Sequence, residues 1–294
     1  MHVGPLTAPV VPAIEECWAI VAGHRMRYLR AGSGPPILLI HGLMAYSFSW
    51  RFVIPELTAF RTVYAPDLLG TGFSDHPDGM DFSVTAAAQR LWEFLDGVGV
   101  DRTDLVGSSL GGGIAARMAA MAPQRVNKLV LAAPVNPWSR HGRLIVRLLA
   151  TRPGSRMFVT MLPLIRATGE VWLKRLFGDP ERIRPGTLAG YTTPLLQPTA
   201  WEYGLSIMRN WRDDMNQLER DYAALSEKPA LLVWGDRDRA VLCSSGMQIL
   251  KRMPKARLEV LGGVGHIPYE EVPDEFNRLL VDFLRAGEMP GLLT

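Results

Sequence analysis

The chain has few cysteines and no long hydrophobic run. Cys17 and Cys243 are the only 2 cysteines in 294 residues, so two thiols in a reducing compartment are the simplest interpretation, with a disulfide left open. No apolar run approaches the roughly 20 residues of a membrane-spanning helix. The N-terminal stretch MHVGPLTAPVVPAIEECW lacks the basic start and apolar centre of a signal peptide. We therefore expect a cytoplasmic protein.

The chain also lacks a strong excess of either charge. Its formal net charge is +3, and no basic block or zinc-ligand spacing occurs, which argues against a nucleic-acid partner and a metal site. Hydrophobic residues make up 48% of the sequence. That composition and length are typical of a globular protein with one large domain, or with a core and an inserted subdomain.

Short apolar runs and amphipathic segments alternate along both ends of the chain. Trp18–Val21 and Met26–Leu29 predict a hairpin at a sheet edge. Further strands are predicted at Ile37–Ile40, Arg61–Pro66, Leu105–Val106, Lys128–Ala132, Ala230–Trp234 and Leu258–Leu261, and helices at Ser47–Leu57, Ser83–Val98, from Leu110 onward, and Pro273–Ala286. This alternation predicts an α/β fold with a mostly parallel central sheet and helices on both faces. Ligands of such sheets lie at the carboxyl ends of the strands.

The alternation breaks at Pro134-Val135-Asn136-Pro137, and the pattern stays helical to about Leu225. The candidate helices there are Arg143–Leu149, Met157–Thr168, Glu170–Phe177, Gly186–Tyr191 and Thr199–Asn210. We interpret residues 137–225 as a helical cap inserted between core segments 1–136 and 226–294. Its many aromatic and methionine side chains either pack the cap or line an apolar pocket over the core.

The segment Gly107-Ser108-Ser109-Leu110-Gly111 matches the pattern G-x-S-x-G. A serine on a sharp strand-to-helix turn has a strained backbone, and glycines two residues before and after it permit that turn. In this register Ser109, not Ser108, is the candidate nucleophile. The N–H of Leu110, at the start of a helix, is a candidate oxyanion donor. The alternative is a glycine-rich turn that only packs a helix on the sheet.

Other chemically capable side chains follow neighbouring strands. Gly42 lets the backbone approach a ligand, so the N–H of Leu43 is the second candidate oxyanion donor. For His41 we favour a buried structural role, and for Asp67 the building of its loop.

The second half of the site follows the last two strands. His266 comes after the glycine-rich segment Gly262–Gly265, and it is the histidine that lies beyond both the serine and the acid candidates. Asp236 and Asp238 both follow the strand Ala230–Trp234, and either carboxylate has the chemistry to orient the imidazole and stabilise its charged form.

Five blocks in order resemble the α/β-hydrolase superfamily with an inserted cap, over nearly the whole chain from about Trp18. They are HGLMAYSFSW, APDLLGTGFSD, VGSSLGGGIA, VWGDRD and GGVGHIPYEEVPDEFNRLLVDFL. The order serine, acid, histidine is that of the superfamily. The resemblance implies Ser109, Asp238 and His266 as the catalytic triad, with Asp238 selected over Asp236 by its place in the block. It also implies that no cofactor is required.

The resemblance leaves several chemistries open. Hydrolysis of carboxylic esters of hydrophobic small molecules is the leading expectation. Similar capped dehalogenases and epoxide hydrolases use an aspartate nucleophile, and Ser109 argues against both. Relatives that hydrolyse C–C bonds of ring-cleavage dienones keep the serine triad, but many carry tryptophan where Ile267 stands. Perhydrolases, acyltransferases and small-molecule receptors are further alternatives.

Basic residues in the cap suggest one more alternative. Mixed with apolar residues, they suit weak contact with a lipid surface, as in enzymes resembling monoacylglycerol lipases, although a solvated face is the commoner explanation. These residues are Arg140, Arg143, Arg147, Arg152, Arg166, Lys174 and Arg175. The sequence predicts no oligomeric state.

Overall fold

The apolar runs form one sheet of eight strands in the order β1-β2-β4-β3-β5-β6-β7-β8. The computed structural model describes residues 13–139, 146, 148–151, 153–154, 157, 160, 169–192 and 200–286. The strands are β1 (Glu15–Val21), β2 (His24–Ala31), β3 (Pro36–Ile40), β4 (Thr62–Pro66), β5 (Thr103–Ser108), β6 (Val126–Ala132), β7 (Ala230–Gly235) and β8 (Ala256–Leu261). β2 pairs antiparallel with β1 and β4, and all other pairs are parallel. The predicted α/β fold with a mostly parallel sheet is confirmed.

Helices cover both faces of the sheet. They are α1 (Ile54–Leu57), α2 (Val84–Gly97), α3 (Leu110–Met121), α4 (Gly169–Leu176), α5 (Thr187–Thr192), α6 (Ala200–Ala224), α7 (Gly246–Leu250), α8 (Pro268–Glu271) and α9 (Pro273–Arg285). Side chains alternate across β3: Leu38 and Ile40 pack with α2 and α3, whereas Ile37 and Leu39 pack with α1 and α9. Two apolar layers therefore sandwich the central strands and hold their carboxyl ends at one edge.

Three described helices, α4, α5 and α6, lie between β6 and β7, where the inserted cap is predicted. The predicted helices 143–149 and 157–168 fall largely outside the described residues. The prediction Thr199–Asn210 is too short, because α6 continues to Ala224. Buried Leu218 and Tyr222 extend its apolar face past Asn210. The domain boundaries 136/137 and 225/226 stay predictions.

The predicted helix Ser47–Leu57 is wrong as a single element. A 3₁₀ turn covers Ser47–Trp50, and α1 starts separately at Ile54. Pro55 lacks an N–H and stands in the first turn of α1, where that donor is not needed. The proline therefore begins a new helix rather than continuing the first.

Three further observations bear on the sequence-based expectations. Cys17 and Cys243 are both free and half-buried. Within the described part of the chain, no helix has the length and apolarity to cross a membrane. The described residues also contain no group of three or more histidine, cysteine or acidic side chains arranged to hold a metal ion.

Candidate active site

Ser109 occupies a sharp turn between β5 and α3. Its backbone angles are φ 52° and ψ −116°, a strained conformation for a residue with a side chain. The Ser109 N–H donates to the Ala132 carbonyl (2.9 Å), and its own carbonyl accepts from Val135 N–H (2.9 Å). These bonds to the end of β6 hold the strained turn in place.

Two glycines make that turn sterically feasible. A Cβ on Gly107 would overlap the Gly111 carbonyl oxygen, and a Cβ on Gly111 would overlap the Ile40 and His41 carbonyl oxygens. The start of α3 therefore passes directly over the ends of β5 and β3. This close crossing explains both glycines of the G-x-S-x-G pattern.

The loop after β3 lies against the serine. A Cβ on Gly42 would lie 3.3 Å from Ser109 Cβ and 3.9 Å from Ser109 Oγ. Met44 in this loop has φ 57°, in the left-handed region. Within the described residues, neither Leu43 N–H nor Leu110 N–H, the two candidate oxyanion donors, donates a hydrogen bond.

Asp238 and His266 form a buried pair. His266 Nδ1 lies 2.8 Å from Asp238 Oδ2. Asp238 Oδ1 accepts from the N–H groups of Ala240 (2.8 Å) and Val241 (2.9 Å). Because an ionised carboxylate only accepts hydrogen bonds, the imidazole proton belongs on Nδ1, which leaves the lone pair on Nε2. The other candidate acid, Asp236, instead accepts from Gly263 N–H (2.7 Å).

His41 and Asp67 hold loops rather than facing the serine. His41 Nδ1 bonds the Gly42 carbonyl (2.9 Å), and its Nε2 accepts from Leu68 N–H (3.1 Å). Burial lowers the pKa of His41, consistent with a neutral imidazole. Asp67 is fully buried and accepts from Ser47 N–H, Phe73 N–H and the Arg27 guanidinium.

Two cavities meet at Ser109. The histidine cavity, of about 240 Å³, is lined by Ser109, His266, Trp172, Leu176, Tyr191 and Tyr269. The α6 cavity, of about 210 Å³, is lined by Ser109, Leu110, Val135, Ile207, Met208 and Trp211. Both linings are mainly apolar, and Leu43 belongs to both. A group bonded to Ser109 therefore has an apolar space on either side.

Sequence reasoning missed several residues that line these cavities. Tyr269 lies three positions beyond His266, and Trp211 lies on α6. Trp172 and Met208 are among the cap aromatic and methionine side chains that the sequence predicts either to pack the cap or to line a pocket. Their spacing is that of ordinary core packing, so the sequence carries no signal that separates a cavity wall from a core contact.

The chain resembles several known proteins across most of its length. It is 27% identical to a 2-hydroxy-6-oxo-2,4-heptadienoate hydrolase of Pseudomonas putida, over 87% of this chain and 91% of that protein. It is 30% identical to haloalkane dehalogenase 2 of Mycobacterium tuberculosis, over 93% and 96%.

Among solved structures, a meta-cleavage product hydrolase from Pseudomonas fluorescens superposes with a TM-score of 0.79 at 25% identity, covering 92% of this chain and 98% of that one. The family model for the alpha/beta hydrolase fold matches residues 35–273. That match includes the sharp turn at Ser109, the loop after β3 and the Asp238–His266 pair. The chain belongs to the alpha/beta hydrolase fold family.

Proposed function

We propose that the protein is a serine hydrolase that cleaves carboxylic esters of hydrophobic small molecules. One observation carries the proposal: Ser109, on its strained turn, shares a cavity with His266, whose Nδ1 lies 2.8 Å from Asp238. A nucleophile, a base and an orienting acid in this arrangement are what acyl transfer to water requires.

The reaction proceeds in two halves. Ser109 Oγ attacks the ester carbonyl while His266 Nε2 takes the hydroxyl proton, and Asp238 stabilises the imidazolium. The N–H groups of Leu43 and Leu110 bind the tetrahedral oxyanion, and one such donor is worth roughly 3–4 kcal/mol of barrier. His266 then protonates the departing alkoxide. Water hydrolyses the acyl-enzyme with the same base, which releases the acid and restores Ser109.

The cavities favour an apolar substrate with a group on each side of the ester. Apolar burial contributes about 0.8 kcal/mol per CH₂, so longer chains gain affinity until the cavity is full. No metal or organic cofactor takes part in this mechanism.

C–C bond hydrolysis of a ring-cleavage dienone is the second candidate. The 27% identity to the heptadienoate hydrolase favours it. Ile267, directly after His266, favours the ester reaction, because many serine-triad C–C hydrolases carry tryptophan at that position.

Weak contact of the cap with a lipid surface is a separate proposal. On α4, Val171 and Trp172 are exposed next to Lys174 and Arg175. Lys174 is paired with Glu170 (2.6 Å), which weakens its attraction to anionic lipid. The cap arginines at positions 140, 143, 147, 152 and 166 lie outside the described residues. Liposome co-sedimentation at low and moderate salt tests this contact.

A substrate panel separates the two reactions. We expect hydrolysis of p-nitrophenyl esters from acetate to laurate, with kcat/KM rising and then falling as the chain outgrows its cavity. A 2-hydroxy-6-oxo-dienoate is expected to turn over at least tenfold more slowly than the best ester. Faster cleavage of the dienoate would replace the ester proposal with the C–C reaction. Binding of these compounds without turnover would support a receptor.

A further inference from the structure

Two consecutive glutamates follow the candidate base on the short helix α8. Glu270 and Glu271 are only 2% and 5% exposed. Burying a carboxylate is costly unless hydrogen bonds or charges satisfy it. The hydrogen-bond partners of these two side chains therefore show which segments of the chain each glutamate connects.

Glu271 joins the cap to the loop of His266. Its Oε2 accepts from the N–H groups of Gly178 (2.9 Å) and Gly265 (2.8 Å). Its Oε1 accepts from Asp179 N–H (2.9 Å) and the Arg182 guanidinium (3.3 Å). Four donors match the capacity of an ionised carboxylate. Three of them belong to the cap, and the fourth is the residue directly before His266.

A backbone contact next to Glu271 makes the same connection. The His266 N–H donates to the carbonyl of Leu176, the last residue of α4, at 2.7 Å. A Cβ on Gly265 would overlap that carbonyl oxygen, and a Cβ on Gly178 would overlap the carbonyl oxygen of Gly263. The cap backbone thus packs directly on the backbone that carries the imidazole, with no side chain between them.

We propose that Glu271 is a positioning residue, which fixes the main chain of His266 against the cap segment Leu176–Arg182. The inference rests on the proposed function, in which His266 is the base. Asp238 fixes the imidazole at Nδ1 from the core, whereas Glu271 and Leu176 fix its backbone from the cap. The distance from Nε2 to Ser109 therefore depends on the position of the cap. A misplacement of about 1 Å costs on the order of 100-fold in rate.

Glu270 provides a matched control on the same turn. Its carboxylate binds the Arg51 guanidinium and the Tyr191 hydroxyl (2.7 Å). It thereby anchors α5, not the loop that contains His266. Replacing either glutamate removes one buried carboxylate, but only Glu271 bonds that loop.

The test compares Glu271→Ala with Glu270→Ala, and Gly178→Ala with Gly204→Ala. A Cβ on Gly204 would meet nothing within 4 Å, so this second cap glycine controls for the added methyl. The first readout is the rate at which a fluorophosphonate labels Ser109, which requires the base but no ester substrate. The second is hydrogen exchange of the amides of residues 263–266. The third is the division of ester kinetics between kcat and KM.

We expect Glu271→Ala and Gly178→Ala to label at least tenfold more slowly than wild type, to exchange those amides faster, and to lose kcat with KM within threefold. Glu270→Ala and Gly204→Ala should label within threefold of wild type. Gly178→Ala leaves every side chain of the site in place. If Glu271→Ala does not fold, Gly178→Ala therefore still tests whether the cap segment positions His266. Labelling of folded Glu271→Ala or Gly178→Ala within threefold of wild type would overturn the proposal.

The same data distinguish this proposal from the proposed function. If wild type is labelled at Ser109 yet hydrolyses no ester, the ester reaction fails, and the labelling rates of the variants still decide the role of Glu271. If wild type is not labelled, His266 is not a base for Ser109, and the proposed positioning role of Glu271 is then wrong as well.

Discussion

At the scale of single residues, the acid is the member of the proposed triad for which the chain has two candidates. Asp236 and Asp238 follow β7 within one loop, and residue spacing alone cannot separate them because the direction of a loop side chain depends on tertiary contacts. The structure directs Asp238 to His266 Nδ1 and Asp236 to Gly263 N–H. The two aspartates are therefore natural controls for each other.

We expect Asp238→Asn to lower kcat for a p-nitrophenyl ester by about 10⁴-fold, because an asparagine favours the wrong imidazole tautomer and leaves the imidazolium without its counter-charge. Asp236→Asn should stay within tenfold of wild type, since it changes only one backbone hydrogen bond. Steady-state kinetics of the two variants measure the difference. The reverse ranking would assign the acid to Asp236.

The sequence predicts those residues of the candidate site that directly follow a strand. Ser109, Leu43 and His266 each follow a short apolar run with glycines nearby, and both features are visible without a structure. Glu271 is different, because two acids just before the predicted helix Pro273–Ala286 normally face solvent. Glu271 is buried because the cap packs over it, and the sequence around Glu271 does not predict this long-range contact.

At the scale of elements, α6 is attached to the start of α2 by two polar side chains that lie about two helical turns apart on α6. Ser206 Oγ accepts from Phe82 N–H (3.4 Å), and Asp214 Oδ1 accepts from Val84 N–H (3.0 Å). Asp214 is 4% exposed. Its Oδ2 is buried and has no hydrogen-bond partner within the described part of the chain. Burial, with a smaller contribution from the nearby Asp81 and Asp213, raises the pKa of Asp214 to about 7 against the opposing hydrogen bond from Val84 N–H.

This pKa predicts a pH-dependent stability. An aspartate titrates near pH 3.9 in the unfolded chain, so between about pH 4 and pH 7 the folded protein holds a proton that the unfolded chain has lost. Stability therefore falls as pH rises through this window, and the loss is complete above it. Asp214→Asn removes this loss while keeping an oxygen for Val84 N–H.

Urea unfolding at pH 5 and pH 8 measures the effect. Between these two values wild type should lose about 2–3 kcal/mol of unfolding free energy relative to Asp214→Asn. Asp213→Asn, an exposed neighbour on α6, should change the difference little. Equal pH dependence in wild type and Asp214→Asn would show that Asp214 ionises at its ordinary pH.

Helix limits show where sequence-based prediction succeeds and fails. The predicted helix Ser83–Val98 agrees with α2, because the Ser83 side chain accepts a capping hydrogen bond from Ala86 N–H and marks where the helix begins. The prediction for α6 stops 14 residues early, at Asn210 rather than Ala224. Its second half carries the buried acids Asp214 and Asp221 among its apolar positions, so the helical spacing of apolar residues is hard to recognise in the sequence.

At the scale of the whole molecule, His266 is held by both the core and the cap. His266 Nδ1 lies beside the Asp238 carboxylate, which belongs to the loop after β7. The His266 backbone N–H donates to the Leu176 carbonyl at the end of α4. Ser109 stands on the core between an apolar cavity beside α4 and another beside α6. The order of strands and motifs predicts the core, but only the folded chain shows that cap backbone supports the candidate base.

The proposed ester hydrolysis requires that Ser109 carries the acyl group during turnover. The most direct test is mass spectrometry of protein quenched during hydrolysis of a p-nitrophenyl ester, in wild type, Ser109→Ala and Ser108→Ala. We predict an acyl adduct on the peptide containing Ser109 in wild type and Ser108→Ala. We predict no adduct in Ser109→Ala, with a loss of several orders of magnitude in kcat. An acyl adduct in Ser109→Ala, or turnover comparable to wild type, would show that Ser109 is not the nucleophile.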